Sequence, residues 1–112
     1  MRNSIIEQKT FDFAIKIVKL HNKLISINER TLSNQLLRSG TSIGANVAEG
    51  ERGQTKADFL AKMNVALKEA NETMYWIKLL YETGYLSKED LELLNELDEI
   101  IAILVAITKN KN

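Results

Sequence analysis

The sequence predicts an all-α fold, an antiparallel up-down-up-down four-helix bundle, on three observations. Apolar residues recur at steps of three and four through four long segments. No proline interrupts any of them. The turn signals between segments leave connections of about two to five residues, which forces antiparallel neighbours. No stretch alternates with period two, so no strand competes. A chain of 112 residues is enough for one domain, residues 1–112, with a modest core.

The first helix is expected over residues 4–28. Phe13, Ile17, Leu20, Leu24 and Ile27 form its apolar stripe, flanked by Ala14, Val18, His21 and Ile25. Lys9, Lys16 and Lys23 fall seven apart on the polar side. Asn28 is the expected end of this segment, with Arg30 and Thr31 marking the turn after it.

The second helix is expected over residues 32–50, with Leu36, Gly40, Ile43, Val47 and Gly50 on its stripe. The glycines sit on the buried side. Each helical glycine costs about 0.8–1.0 kcal/mol relative to alanine, so something must offset it. Gly40, Gly44 and Ala48, with Ser39, Ser42 and Ala45 around them, leave a helix surface almost bare of side chains. Another helix can approach that surface closely. A phosphate loop is the competing reading of SGTSIGAN, and it fails. A dinucleotide fingerprint needs a preceding strand, and a P-loop needs Lys-Ser/Thr where Ala45-Asn46 stands.

The third helix, residues 55–83, has the clearest pattern. Phe59, Met63, Ala66, Ala70, Thr73, Ile77 and Leu80 keep a seven-residue repeat, with Leu60, Leu67, Met74 and Tyr81 beside them. Thr55 and Asp58 read as a capping box, with Gly53 before it and Gly84 after. The fourth helix, residues 87–109, opens on a Ser87/Asp90 box with Leu86 able to staple to Leu91. Its expected stripe is Leu94, Leu97, Ile101, Leu104 and Thr108, and the last residues, 110–112, should fray.

Tyr75, Trp76 and Leu79 fall off the third helix's core stripe. Either an N-terminal tail carrying Ile5 and Ile6 covers them, or another subunit does, since Trp and Tyr are favoured interface anchors. Polar groups on the tightly packed second helix also need partners. Arg38, Asn46 and Glu49 are therefore expected to form an intersubunit or interhelix network, and with Tyr75, Trp76 and Leu79 they make up the expected subunit interface.

Composition excludes several function classes. There is no cysteine and one histidine, so thiol chemistry and disulfides are out, and no Glu-x-x-His motif exists for a di-metal bundle site. Glu69 and Glu72 lie one turn apart, share the outer face with Lys68 and read as solvated pairs, not metal ligands. His21 reads as a flank residue with a satisfied ring. No nucleophile–base pair stands out, so no catalytic residue, cofactor, metal or small-molecule substrate is expected, and the protein is not expected to be an enzyme. Lys9, Asp12, Lys16 and Lys19 break up the start of the chain, so no signal peptide is expected. No charge-free stretch reaches membrane-spanning length, and a cytoplasmic protein is expected.

Fifteen basic and fifteen acidic residues cancel. The balance is uneven, however. Residues 1–29 carry five basic and three acidic residues, net +2, and residues 84–112 carry three and six, net −3. The first and last helices are thus expected to pair along their exposed edges.

LRSGTSIGANVAEG, followed after a short turn by KADFLAKMNVALKEANETMYWIKLL, resembles the bacterial 23S rRNA intervening-sequence proteins, also called the S23 ribosomal protein family. The likeness covers roughly residues 11–107, and SIGANVAEG with Phe59 is its most specific part. The version with R-S-G-T-S and E-A-N-E-T-x-Y-W looks like a branch known only as four-helix-bundle proteins. The resemblance implies an antiparallel four-helix bundle and a homopentameric ring. It also implies relatives encoded within rRNA genes, or beside reverse transcriptases of diversity-generating retroelements, with RNA or protein partners. Two features depart from the family: the net charge is zero, and Glu49-Gly50-Glu51-Arg52-Gly53 stands where many relatives read E-G-x-G-R.

Two functional expectations follow. The first is a non-catalytic, homo-oligomeric scaffold or interaction module, a pentamer by the resemblance. The alternative is an RNA-binding protein using a basic face of the first helix: Arg2, Lys9, Lys16, Lys19 and Lys23.

Overall fold

A computed structural model of the chain describes residues 4–109, so Arg2 and the last three residues, expected to fray, lie outside the described part. Four helices form: α1 (Ile5–Ser26), α2 (Thr31–Glu51), α3 (Lys56–Glu82) and α4 (Glu92–Lys109), the last preceded by a 3-10 turn at Lys88–Leu91. Each helix touches its sequence neighbours, and α1 also meets α4, while the diagonal pairs do not meet. The bundle is therefore a four-cornered rod in chain order, 45 × 20 × 19 Å.

The local chemistry explains the ends. Ser4 caps α1 by accepting from the Glu7 amide at 3.1 Å. At the far end Asn28 adopts φ +69°, and the amides of Asn28 and Glu29 bond back to Ile25 and Leu24. The same stop recurs after α3, with Gly84 at φ +89° and the amides of Gly84 and Tyr85 returning to Tyr81 and Leu80. Arg30, before α2, provides no side-chain cap. The buried Glu29 carboxylate takes that place, accepting from the Ser33 amide at 2.8 Å. A carboxylate there also suits the positive end of the helix.

Thr55 caps α3 through the Asp58 amide, but Asp58 does not answer, so only half of the expected box forms. The Ser87/Asp90 box is complete. Leu86 is buried and Leu91 packs against the core beside it.

The core runs the length of the rod. Phe13, Ile17, Leu24, Leu36, Ile43, Val47, Met63, Ile77, Leu80, Leu97 and Leu104 are all fully buried. Two expectations need correction. Ile27 is the C-cap of α1 and is half exposed, because the left-handed turn at Asn28 swings the chain off the stripe. The buried row of α4 is Leu93, Leu97, Ile100, Leu104 and Thr108, with Leu94 and Ile101 only partly buried on its flank.

Candidate functional site

The α1–α2 seam is built on small residues. A Cβ added at Gly40 would lie 2.8 Å from Ile17 Cγ2, and one at Gly44 would lie 3.1 Å from the backbone oxygen of Thr10. α2 therefore lies almost backbone-to-backbone on α1 at this level. Thr10 is fully buried there, and its hydroxyl is turned back onto the Ile6 and Glu7 carbonyls. Ala48 is half-buried and lies outside this contact. It lines a surface groove of about 420 Å³ with Gly44, Ser4, Ile5, Glu7, Gln8 and Phe11. Ile5 thus borders the α1–α2 side and Ile6 enters the core, so neither covers the aromatic residues of α3.

Next along α1, His21 Nδ1 lies 2.7 Å from Ser33 Oγ. Ser33 is fully buried and its amide is held by Glu29. This serine–histidine pair ties α1 to α2 and offers no exposed nucleophile. Glu29 was not apparent as a functional group in the sequence. The signal available was an acidic residue two positions before the helix start.

The basic row of α1 meets an acidic row on α4 and the 3-10 turn before it. Lys9 pairs with Glu99 at 2.9 Å, Lys16 with Glu96 at 2.7 Å and Lys23 with Asp90 at 3.4 Å. Lys19 makes no ion pair among the described residues. The hydrogen bond and charge of Glu99 raise Lys9 above the ordinary lysine value. Burial opposes ionisation of Asp90, but the Ser87 amide and hydroxyl and the Lys23 ammonium outweigh it and hold its carboxyl below the usual value. This edge therefore loses Asp90's contribution as pH falls through its lowered value. It loses Lys9's contribution as pH rises through its raised value. A groove of about 380 Å³ runs along the edge over Leu20 and Leu93, walled by Lys16, Lys19 and Lys23 on one side and Glu89, Asp90, Glu92 and Glu96 on the other.

The expected interface residues separate into three local arrangements. Arg38 spans α2 to α3, reaching Glu69 at 3.2 Å and also Glu72. Glu69 and Glu72 are thus paired, as expected, but with Arg38 of α2. The Trp76 indole N–H donates to Glu72 at 3.0 Å, and its ring is half-buried against the core. Tyr75 stands outside it, edge-on at 5.0 Å and 59% exposed, with Leu79 half-buried nearby. Asn46 does not join Arg38. Its amide donates to the Ser42 carbonyl of its own helix. Glu49 pairs with Lys62 at 2.7 Å, and its side chain is 67% exposed. Within the chain, then, Arg38, Asn46 and Glu49 form no common network. Glu49→Ala is expected to change monomer stability by no more than about 0.5 kcal/mol in a urea melt, as for an exposed ion pair.

Among the described residues no group of three His, Asp or Glu side chains is placed to hold a metal ion, and no helix is long and apolar enough to cross a membrane.

Comparison with known proteins fits this architecture. The family described as 23S rRNA-intervening sequence protein matches over residues 2–106. A crystal structure of a protein of unknown function from the S23 ribosomal protein family of Bacteroides thetaiotaomicron VPI-5482 superposes with a TM-score of 0.91 at 46% identity. The match covers 95% of this chain and 100% of that one. No curated protein matches the chain. The chain belongs to the 23S rRNA-intervening sequence protein family.

Proposed function

We propose that this member of the 23S rRNA-intervening sequence protein family is a non-catalytic scaffold, a homo-oligomer whose expected size is five chains. One observation carries the reading: the single chain leaves large apolar side chains in solvent on several helices. Phe11 is 62% exposed and Tyr75 59%, and Ile15, Val18, Val65 and Val105 are also exposed. A small bundle gains by covering such surface with further copies. The family is not an enzyme family by its description, and the ion pairs and caps above give each described polar cluster a structural task. RNA binding is the weaker alternative. Three of the four described lysines proposed for it are engaged with carboxylates of α4 or of the 3-10 turn before it, and the net charge of zero offers little counterion release.

Light scattering on a sizing column, with absorbance read at two ultraviolet wavelengths, tests both readings. A mass near five chains without nucleic acid supports the scaffold. A single-chain mass overturns it, and co-eluting nucleic acid moves the reading to RNA.

A further inference from the structure

The middle of one side of the rod carries no charge. On α1 the row Phe11, Ile15, Val18, Asn22 and Ile25 is exposed or half-buried, and not one of these residues is ionisable. Across the seam on α2, Leu37, Thr41, Gly44 and Ala48 continue the same surface, half-buried and equally uncharged. The groove above Gly44 and Ala48, rimmed by Phe11, adjoins it at one end, where the charges among the described residues, Glu7 and Arg52, are already paired with each other at 3.1 Å. In a chain where 27% of residues are charged, a solvent-facing surface with none has the character of an interface centre. It has no cation to hold a nucleic acid and no charge to recognise a charged peptide.

A second apolar surface lies around the next corner. Val65 and Tyr75 are exposed on α3, with Trp76 and Leu79 half-buried beside them. The two carboxylates of this ridge are already paired within the chain: Glu69 and Glu72 hold Arg38, and Glu72 takes the Trp76 indole, while Lys68 stays exposed at its edge. It can be covered by an uncharged surface without leaving those charges unpaired.

We infer that the uncharged α1–α2 side of one copy binds the Tyr75–Trp76 ridge of a second copy. The inference rests on the oligomer reading above. One contact of this kind covers both apolar surfaces, whereas pairing either surface with itself leaves the other in water. The two surfaces are also different, so the contact is head-to-tail and each copy offers one of each. They occupy adjacent sides of a four-cornered rod, which meet at roughly a right angle. Successive copies then turn in one sense, and the contact forms a ring where that rotation closes.

Two variants at exposed positions test the pairing: Phe11→Glu on the uncharged side and Tyr75→Glu on the ridge. Circular dichroism checks that each remains folded, and Val18→Lys with Val65→Lys is the replacement pair if either does not. Each variant alone is expected to lose the full assembly in light scattering. Mixed in equal amounts, they are expected to give a two-chain species containing one of each. The intact ridge of Phe11→Glu meets the intact side of Tyr75→Glu, and neither can extend further. An assembly that survives Tyr75→Glu, or variants that stay apart when mixed, overturns the pairing. A wild-type chain that runs as a monomer overturns the oligomer reading itself, before any variant is made.

Discussion

Gly40→Leu is expected to destabilise the fold by about 3 kcal/mol, although leucine is the better helix former. The intrinsic preference favours leucine by about 0.8–1.0 kcal/mol. The contact surface opposes it. The first added carbon already lies 2.8 Å from Ile17 Cγ2 and 2.9 Å from Ile17 Cγ1. Ile17 is fully buried and cannot swing into solvent. The remaining leucine atoms force α1 and α2 apart, and overpacking of this kind costs about 1–3 kcal/mol and occasionally more. Urea melts of the single variants and of Gly40→Leu with Ile17→Ala give the decisive comparison. The double variant moves bulk from one helix to the other, so it should recover about 1–3 kcal/mol relative to additivity. Additive effects would mean that the two side chains do not share this space.

The steps of three and four made α1, α2 and α3 legible because one stripe in each is clearly more apolar than its neighbours. α4 is different. Leu93–Leu94 and Ile100–Ile101 are adjacent apolar pairs. Either member of each pair completes a plausible stripe, and only packing against α3 and α1 selects Leu93 and Ile100. The charge imbalance between the first and last segments was enough to foresee their pairing, because Lys9, Lys16 and Lys23 repeat every seven residues along one edge.

The candidate interaction surfaces were legible only in part. The sequence placed Tyr75, Trp76 and Leu79 off the core stripe, and in the fold none of them is fully buried. It grouped Arg38, Asn46 and Glu49 by their proximity along α2. The partners of Arg38 and Glu49 depend on the register between α2 and α3, which spacing within one helix does not encode, and Asn46 bonds back to its own helix. The uncharged side of α1 left a trace of another kind. Phe11, Ile15 and Val18 follow helical steps of their own, parallel to the core row, and attention to the core row hides them.

Phe13→Ala and Phe11→Ala should behave oppositely, though the residues are identical and two positions apart. Phe13 is fully buried and Phe11 is 62% exposed. Emptying the Phe13 site removes a large buried ring and leaves a cavity among rigid neighbours, a loss of about 3–5 kcal/mol. For a domain of this size that lowers the melting temperature by about 15 °C or more. Phe11→Ala should leave the isolated monomer within about 0.5 kcal/mol of wild type. Its effect should appear through association, because a ring covered by a second copy stabilises only when copies meet. Thermal melts at two protein concentrations separate the cases. Phe13→Ala should fall at both, and Phe11→Ala only at the higher, where the wild type gains from assembly. Equal losses at both concentrations would place the Phe11 ring in the monomer's own core and remove the uncharged side from any role in assembly.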